Sequence, residues 1–314
     1  MAIQPNLHFP RLQPRVAAAR FRPTPRTLAC SAVAVALIAS ACGSSTSSSS
    51  PSTSSSTPLS STTTDGSSGP STDLTTEFKQ AKWATGVTVT YANGKLRFVS
   101  NGIPEHKRDA EYAVPKGGVQ APTAATAVAT ADPTVAQSYD VSISLSPSKA
   151  ASTTSTSLGI IGYMISGAAL FNPYEGDGTT VATASNFSVK NASGQDVWFL
   201  DDCAGHPTPM GQYHYHALPK CVTASVDTTD GPSHIIGIAL DGYPIYGNRD
   251  ASGDAVKAAD LDECNGITSP TPEFPDGTYH YVLLDTADST SSIRCFAGVI
   301  NKSLASSQAM PGMG

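Results

Sequence analysis

"VTVTYANGKLRFVS", residues 87–100, decides the fold class. Apolar and polar residues alternate on both sides of Asn93-Gly94, and a period of two marks a strand with one buried face. Asn-Gly accepts positive φ at both central positions of a two-residue turn, so the stretch predicts a hairpin. The alternation returns in "YDVSISLS" (139–146), where Val141, Ile143 and Leu145 share a face. "GIIGYMISGAALF" (159–171), "HIIGIALDGYPIYG" (234–247) and "YHYVLLD" (279–285) are apolar runs of strand length broken by Gly and Pro. The one helical pattern lies at 253–263. With 26 Gly and 23 Pro in the chain, the expectation is a mostly β single domain, a sandwich or irregular barrel with long loops. "APTAATAVATADPT" (121–134) reads as a loop excursion without a core of its own.

That domain is expected to occupy residues 72–302. Residues 1–41 carry five arginines (Arg11, Arg15, Arg20, Arg22, Arg26) and no acid, and run into "LACSAVAVALIASAC". The apolar run is about a dozen residues where a membrane span needs about 20, so it reads as a signal peptide. Ala39, Ser40 and Ala41 before Cys42 resemble a lipobox, which usually has Leu where Ala39 stands. The resemblance implies Cys42 as the lipidation site and the membrane as partner through its acyl chains, the other reading being ordinary cleavage nearby with Cys42 left as an odd thiol. Residues 42–71 are almost entirely Ser, Thr, Gly and Pro, a tether with too little apolar area to offset the entropy of ordering. Residues 303–314, including Met310 and Met313, read as a flexible tail. Without the five leader arginines, 14 basic residues face 25 acids, a charge of −11. That balance excludes nucleic acid as a partner and favours cations. The expected location is extracytoplasmic, anchored to the cell membrane as a lipoprotein.

Four cysteines lie beyond the tether. Of the three pairings they allow, Cys203 with Cys221 and Cys264 with Cys295 each bracket one histidine-bearing segment and are the expected disulfides. A four-cysteine zinc site is the competing reading, but no CxxC pair exists and an exported protein sits in an oxidising compartment.

Five of the seven histidines, His206, His214, His216, His234 and His280, fall in one region. In "GQYHYHALPKC" (211–221), strand periodicity puts His214 and His216 on one face and Tyr213 and Tyr215 on the other. Two imidazoles on one face suit an ion of the copper or zinc type, with His206 and either His234 or His280 completing the set. The alternative is a buried core in which tyrosines and histidines satisfy one another.

"DDCAGHPTPMGQYHYHALPKC", followed by "HIIGIALDGYPIYG", "LDECNG" and "CFAG", resembles the YHYH-domain family of exported bacterial proteins. The likeness extends to "SNGIPEH" (100–106) and "GYMISGAALFNPYEG" (162–176), about residues 83–300 in all. The family pattern falls on Cys203, Gly205, His206, Tyr213, His214, Tyr215, His216, Asp241, Gly242, Pro244, Tyr246, Gly247 and Cys264. Where the pattern repeats a tyrosine-histidine pair, this chain has Tyr279, His280, Tyr281 and Val282, which makes His206, His214 and His216 the stronger ligands. Asp241 in "LDGYPIYG" is the one candidate general acid or base beside a metal-bound water. Its other reading is a tight turn in which the aspartate caps its own backbone. No Gly-x-Ser-x-Gly elbow, phosphate loop or His-Glu-x-x-His helix occurs, so the standard hydrolase mechanisms have no anchor. Three functions follow: an envelope lipoprotein that binds copper or zinc, a metal-dependent hydrolase or oxidase of envelope components, and a metal-free extracellular binding module.

Overall fold

A computed structural model describes residues 72–309. The leader, Cys42, the Ser/Thr tether and residues 310–314 lie outside the described residues. Among those described, no helix is long and apolar enough to cross a membrane.

The elements follow in chain order as a short helix α1 (Thr75–Phe78), β1 (Val87–Ala92), β2 (Lys95–Ser100), β3 (Glu111–Pro115), β4 (Ala127–Ala131), β5 (Tyr139–Ser144) and β6 (Lys149–Ser155). Next come β7 (Ile160–Met164), β8 (Ala169–Phe171), β9 (Ser188–Lys190), β10 (Asp196–Trp198), β11 (Gly205–Pro207) and β12 (Tyr213–Tyr215). The chain ends with α2 (Lys220–Val226), β13 (Ile235–Ala239), β14 (Pro244–Tyr246), β15 (Gly266–Ser269), β16 (Thr278–Val282), β17 (Cys295–Gly298) and α3 (Lys302–Gln308). The protein is mostly β, and its sheets stay open rather than closing into a barrel. Both disulfides form as expected, Cys203 with Cys221 and Cys264 with Cys295, which removes the four-cysteine zinc site because oxidised sulfur offers no thiolate.

The β1–β2 hairpin turns at Asn93 (φ 52°) and Gly94 (φ 68°), as the dipeptide requires. β5 adds to β2, and this three-stranded sheet turns Leu96, Phe98 and Ile143 into the core. The main sheet has eight strands in the order β11-β12-β8-β7-β13-β14-β16-β15. It is mixed: β12 runs parallel to β8 and β14 parallel to β16, and the other pairs are antiparallel.

That order reads the same from both ends, because the sheet is an internal duplication. "IIGYMISGAALF" (160–171) matches "IIGIALDGYPIY" (235–246) position for position, and "DDCAGH…YHYH" matches "DECNGI…YHYV". At the centre Tyr163 faces Ile238, Gly162 faces Ala239 and Met164 faces Gly237, so equivalent residues cross at a pseudo-two-fold axis. Both halves break register at the same place, between Ile160 and Gly162 and between Ile235 and Gly237. Tyr215 pairs with Leu170, and its equivalent Tyr281 pairs with Ile245.

Three sequence expectations need correction. The 121–134 stretch is not a coreless loop: β4 pairs along its length with β3, and Ala113, Ala127, Phe199 and Leu200 form a small second core beside it. The helical pattern at 253–263 yields one 3₁₀ turn, Ala258–Asp260, with no buried residue, since it has no apolar stripe to dock. Residues 302–308, most of them within the stretch expected as a flexible tail (303–314), form α3, which is capped by the Asn301 side chain, and Gln308 accepts a hydrogen bond from the buried Tyr163 hydroxyl.

Gly167 (φ 96°) and Gly242 (φ 93°) hold equivalent turns in the two halves. A Cβ on Gly242 would run into the backbone carbonyl of Ser144, whereas one on Gly94 would meet open space. Both substitutions incur the left-handed penalty of about 1–2 kcal/mol, and Gly242→Ala adds a clash with fixed backbone. In urea denaturation Gly242→Ala is therefore expected to lose about 3 kcal/mol or more and Gly94→Ala about 1 kcal/mol; equal losses would contradict this packing.

Candidate metal centre

The β11–β12 hairpin sets His206 directly opposite His214. Opposed residues on one face of an antiparallel pair bring their side chains into contact, and the rings lie 4.4 Å apart. His216 follows on the same face two residues later, its ring 4.7 Å from that of His214. One ring nitrogen from each of the three falls within 4.8 Å of the other two. All three are buried, with 6%, 3% and 2% of their surface exposed. Phe171 at the end of β8 stacks on His214 at 3.9 Å, and Phe199 closes over His206 at 4.2 Å.

The hydrogen bonds fix the tautomers of two rings. His214 Nδ1 lies 3.1 Å from the Gln212 carbonyl and His216 Nδ1 lies 2.7 Å from the Asn172 carbonyl. A carbonyl only accepts, so each Nδ1 carries the proton and each Nε2 presents a bare lone pair. Those two Nε2 atoms lie 2.9 Å apart, and neither neutral ring has a proton to place between them. His206 Nε2 is buried with no hydrogen-bond partner at all. Two lone pairs thus face each other in an apolar box, beside a third ring nitrogen that has no partner. Protonation is a poor remedy: burial pushes His216 down to about 4, and burial followed by the neighbouring rings pushes His206 and His214 well below the ordinary value. An ion bound by three nitrogens at about 2.0–2.1 Å would hold them a little over 3 Å apart, within the range seen here.

The tyrosines on the other face lock the strand. Tyr213 and Tyr112 hydroxyls both donate to Asp201 Oδ2 at 2.7 Å, while Asp201 Oδ1 accepts from Cys203 and Gly205 N–H. A Cβ on Gly205 would clash with the Tyr213 hydroxyl. Tyr215 OH meets Ser166 Oγ at 2.9 Å and His106 Nε2 at 2.7 Å, and His106 Nδ1 lies 3.4 Å from Cys203 Sγ. The upstream "SNGIPEH" therefore reaches the back of the site through His106.

His234 and His280 do not join the triad, correcting the five-histidine set. His280 is the equivalent of His214, but the positions matching His206 and His216 hold Ile267 and Val282. Its Nδ1 bonds the Thr278 carbonyl and its ring packs edge-on against Tyr246. His234 pairs with buried Glu273 at 2.8 Å, and that carboxylate also accepts from Tyr246. Asp241 is the equivalent of Ser166. Its Oδ2 accepts from Tyr281 OH at 2.6 Å and Gly298 N–H at 2.9 Å, and its Oδ1 from Tyr243 N–H in the expected turn. Burial pushes its carboxyl up to about 6, yet it sits on the other half of the sheet with its oxygens engaged. The carbonyls of Gln212 and Asn172 were missed because backbone groups leave no residue-type signal; "ALFN" in the resembling stretch marked only their neighbourhood.

The folded histidines stay neutral where unfolded ones charge, so the unfolded state binds more protons between about 6.5 and about 4. Their contribution is whole above about 6.5 and is lost as pH falls toward 4. Asp241, raised to about 6, and Glu175, raised by burial to about 8, titrate in the opposite sense. They are common to both proteins when the parent is compared with His216→Gln. Denaturant midpoints in chelator across this window should fall less steeply in His216→Gln; parallel slopes would mean the ring is not held neutral.

No curated protein and no solved structure matches the chain. The family model described as "YHYH protein" matches residues 140–258 and 250–298, just over half of it. The matched span contains both duplicated halves, the His206–His214–His216 triad and all four disulfide cysteines. The chain belongs to the YHYH family.

Proposed function

We propose that this protein is an exported lipoprotein, anchored to the membrane at Cys42, whose YHYH domain binds one transition-metal ion, copper or zinc, through His206, His214 and His216. The observation that carries this reading is the pair of Nε2 lone pairs 2.9 Å apart beside the unpartnered Nε2 of His206. A metal-free core would leave these acceptors facing one another, and buried acceptors without donors are costly. A cation turns the same contact into coordination. The basic leader, the lipobox-like Ala39-Ser40-Ala41-Cys42 and the Ser/Thr tether support the anchored, extracytoplasmic half of the reading.

The hydrolase or oxidase reading has less support, since Asp241 belongs to a closed hydrogen-bonded network remote in sequence from the triad. The metal-free module must leave the lone-pair contact unexplained.

Elemental analysis of the mature protein, purified without a histidine tag, is expected to find one equivalent of copper or zinc per chain. His214→Ala with His216→Ala should abolish it while both disulfides still form; retained metal would overturn the site. Replacing Cys42 by Ala should move the protein from the membrane to the soluble fraction, and an unchanged distribution would remove the anchor.

The Cys203–Cys221 bridge spans 18 residues that include all three ligands, whereas Cys264–Cys295 spans 31 in the other half. By chain entropy, removing either costs about 3–4 kcal/mol of stability. Cys203→Ser with Cys221→Ser is expected to weaken metal affinity at least tenfold, and Cys264→Ser with Cys295→Ser to leave it within about twofold under folding conditions. Equal effects on affinity would show that the bridge does not hold the ligands.

A further inference from the structure

We infer that the triad selects a monovalent cation, Cu(I), over Zn(II) and Cu(II); this rests on the metal-binding reading above and names its ion. The ligand set supplies no negative charge. The cluster contains three histidines and neither a carboxylate nor a free thiolate. The Nδ1 protons of His214 and His216 go to neutral backbone carbonyls rather than to acids. Asp202, the nearest acid in sequence, is exposed, and its neighbour Asp201 spends its oxygens on Tyr112, Tyr213, Cys203 and Gly205 across the strand.

The walls are equally unhelpful to a dication. Phe171 and Phe199 cover the rings, and the three histidines are nearly closed to water. The cost of burying an ion in such a medium grows with the square of its charge, so a dication pays about four times what a monocation does. Zinc also favours four ligands, the fourth being water or an anion where the protein provides three. A closed box gives that fourth ligand little access. Cu(I) is satisfied by three donors and leaves only one positive charge to be buried. Imidazole alone does not discriminate, since it suits copper and zinc alike; charge and coordination number do.

The test is competition on the mature full chain under anaerobic conditions, with bathocuproine disulfonate for Cu(I) and a zinc-selective chelator for Zn(II). Ag(I) serves as a redox-inert monovalent probe. Cu(I) and Ag(I) are expected to bind at least about a hundredfold more tightly than Zn(II), and X-ray absorption should show Cu(I) with three nitrogen donors. A second variant tests the cause. His206→Asp keeps three donors and adds one negative charge, so the ratio of Cu(I) to Zn(II) affinity should fall at least about tenfold. Zinc binding as tightly as Cu(I), both lost on His214→Ala with His216→Ala, would overturn the inference and leave the metal site standing. An unchanged ratio in His206→Asp would overturn the charge argument. No binding of any of the three ions would overturn both readings.

Discussion

Gly162 and Gly237 let the two central strands touch. A Cβ on Gly162 would lie 2.8 Å from the Ile238 carbonyl, and one on Gly237 would lie 2.7 Å from the Tyr163 carbonyl. At these two equivalent positions any side chain would push β7 and β13 apart. The seam is where the duplicated halves meet, and the rest of the main sheet is laid down outward from it by repeated local rules. On each side a hairpin returns over a Gly with positive φ, and a parallel strand from the Tyr-His-Tyr motif then docks on it. A last antiparallel strand follows from the Asp-x-Cys-x-Gly segment.

Each Asp-x-Cys-x-Gly segment is built around a carboxylate. Asp201 and Asp262 accept from the same two backbone N–H groups of their loops and from the first tyrosine of the following motif. Ala204 and Asn265 take the same positive φ. Such a loop does two jobs at once: it directs one cysteine toward its disulfide partner and fixes the register of the next strand. The histidines are therefore held from behind by polar groups that have nothing to do with binding, which is how the strand leading into His216 keeps that ring in place.

The halves diverge where chemistry would lie. In one, His206, His214 and His216 meet between Phe171 and Phe199. In the other, Ile267 and Val282 replace two ligands, and Tyr246 replaces Phe171. The polar demand there is met by Glu273, which takes hydrogen bonds from Tyr246 and pairs with His234. One scaffold thus carries a satisfied polar core on one side and, on the other, two facing acceptors beside an unpartnered ring nitrogen. The contrast matters because burial alone would have penalised both equally.

Much of this was legible in the residues. Period-two alternation and Asn93-Gly94 specify strands and a hairpin because side-chain direction and turn φ are local properties. His214 and His216 share a face for the same reason, and the short-range disulfides follow from the segments they bracket. What the sequence could not decide was which distant residues meet. His234 and His280 are of the same type and region as the true triad, yet they lie in the other half of the duplication. Asp241 looks like a catalytic acid until Tyr281 and Gly298 are seen to occupy it. The strand at 127–131 has little pattern of its own and is held by pairing with β3. The proton positions that leave two Nε2 atoms facing each other depend on backbone carbonyls at Gln212 and Asn172, and any residue type supplies a carbonyl. Local geometry was therefore written in the chain by periodicity and turn chemistry, whereas the convergence of three rings and their unpartnered nitrogens arose only when strand pairing brought separated segments into register.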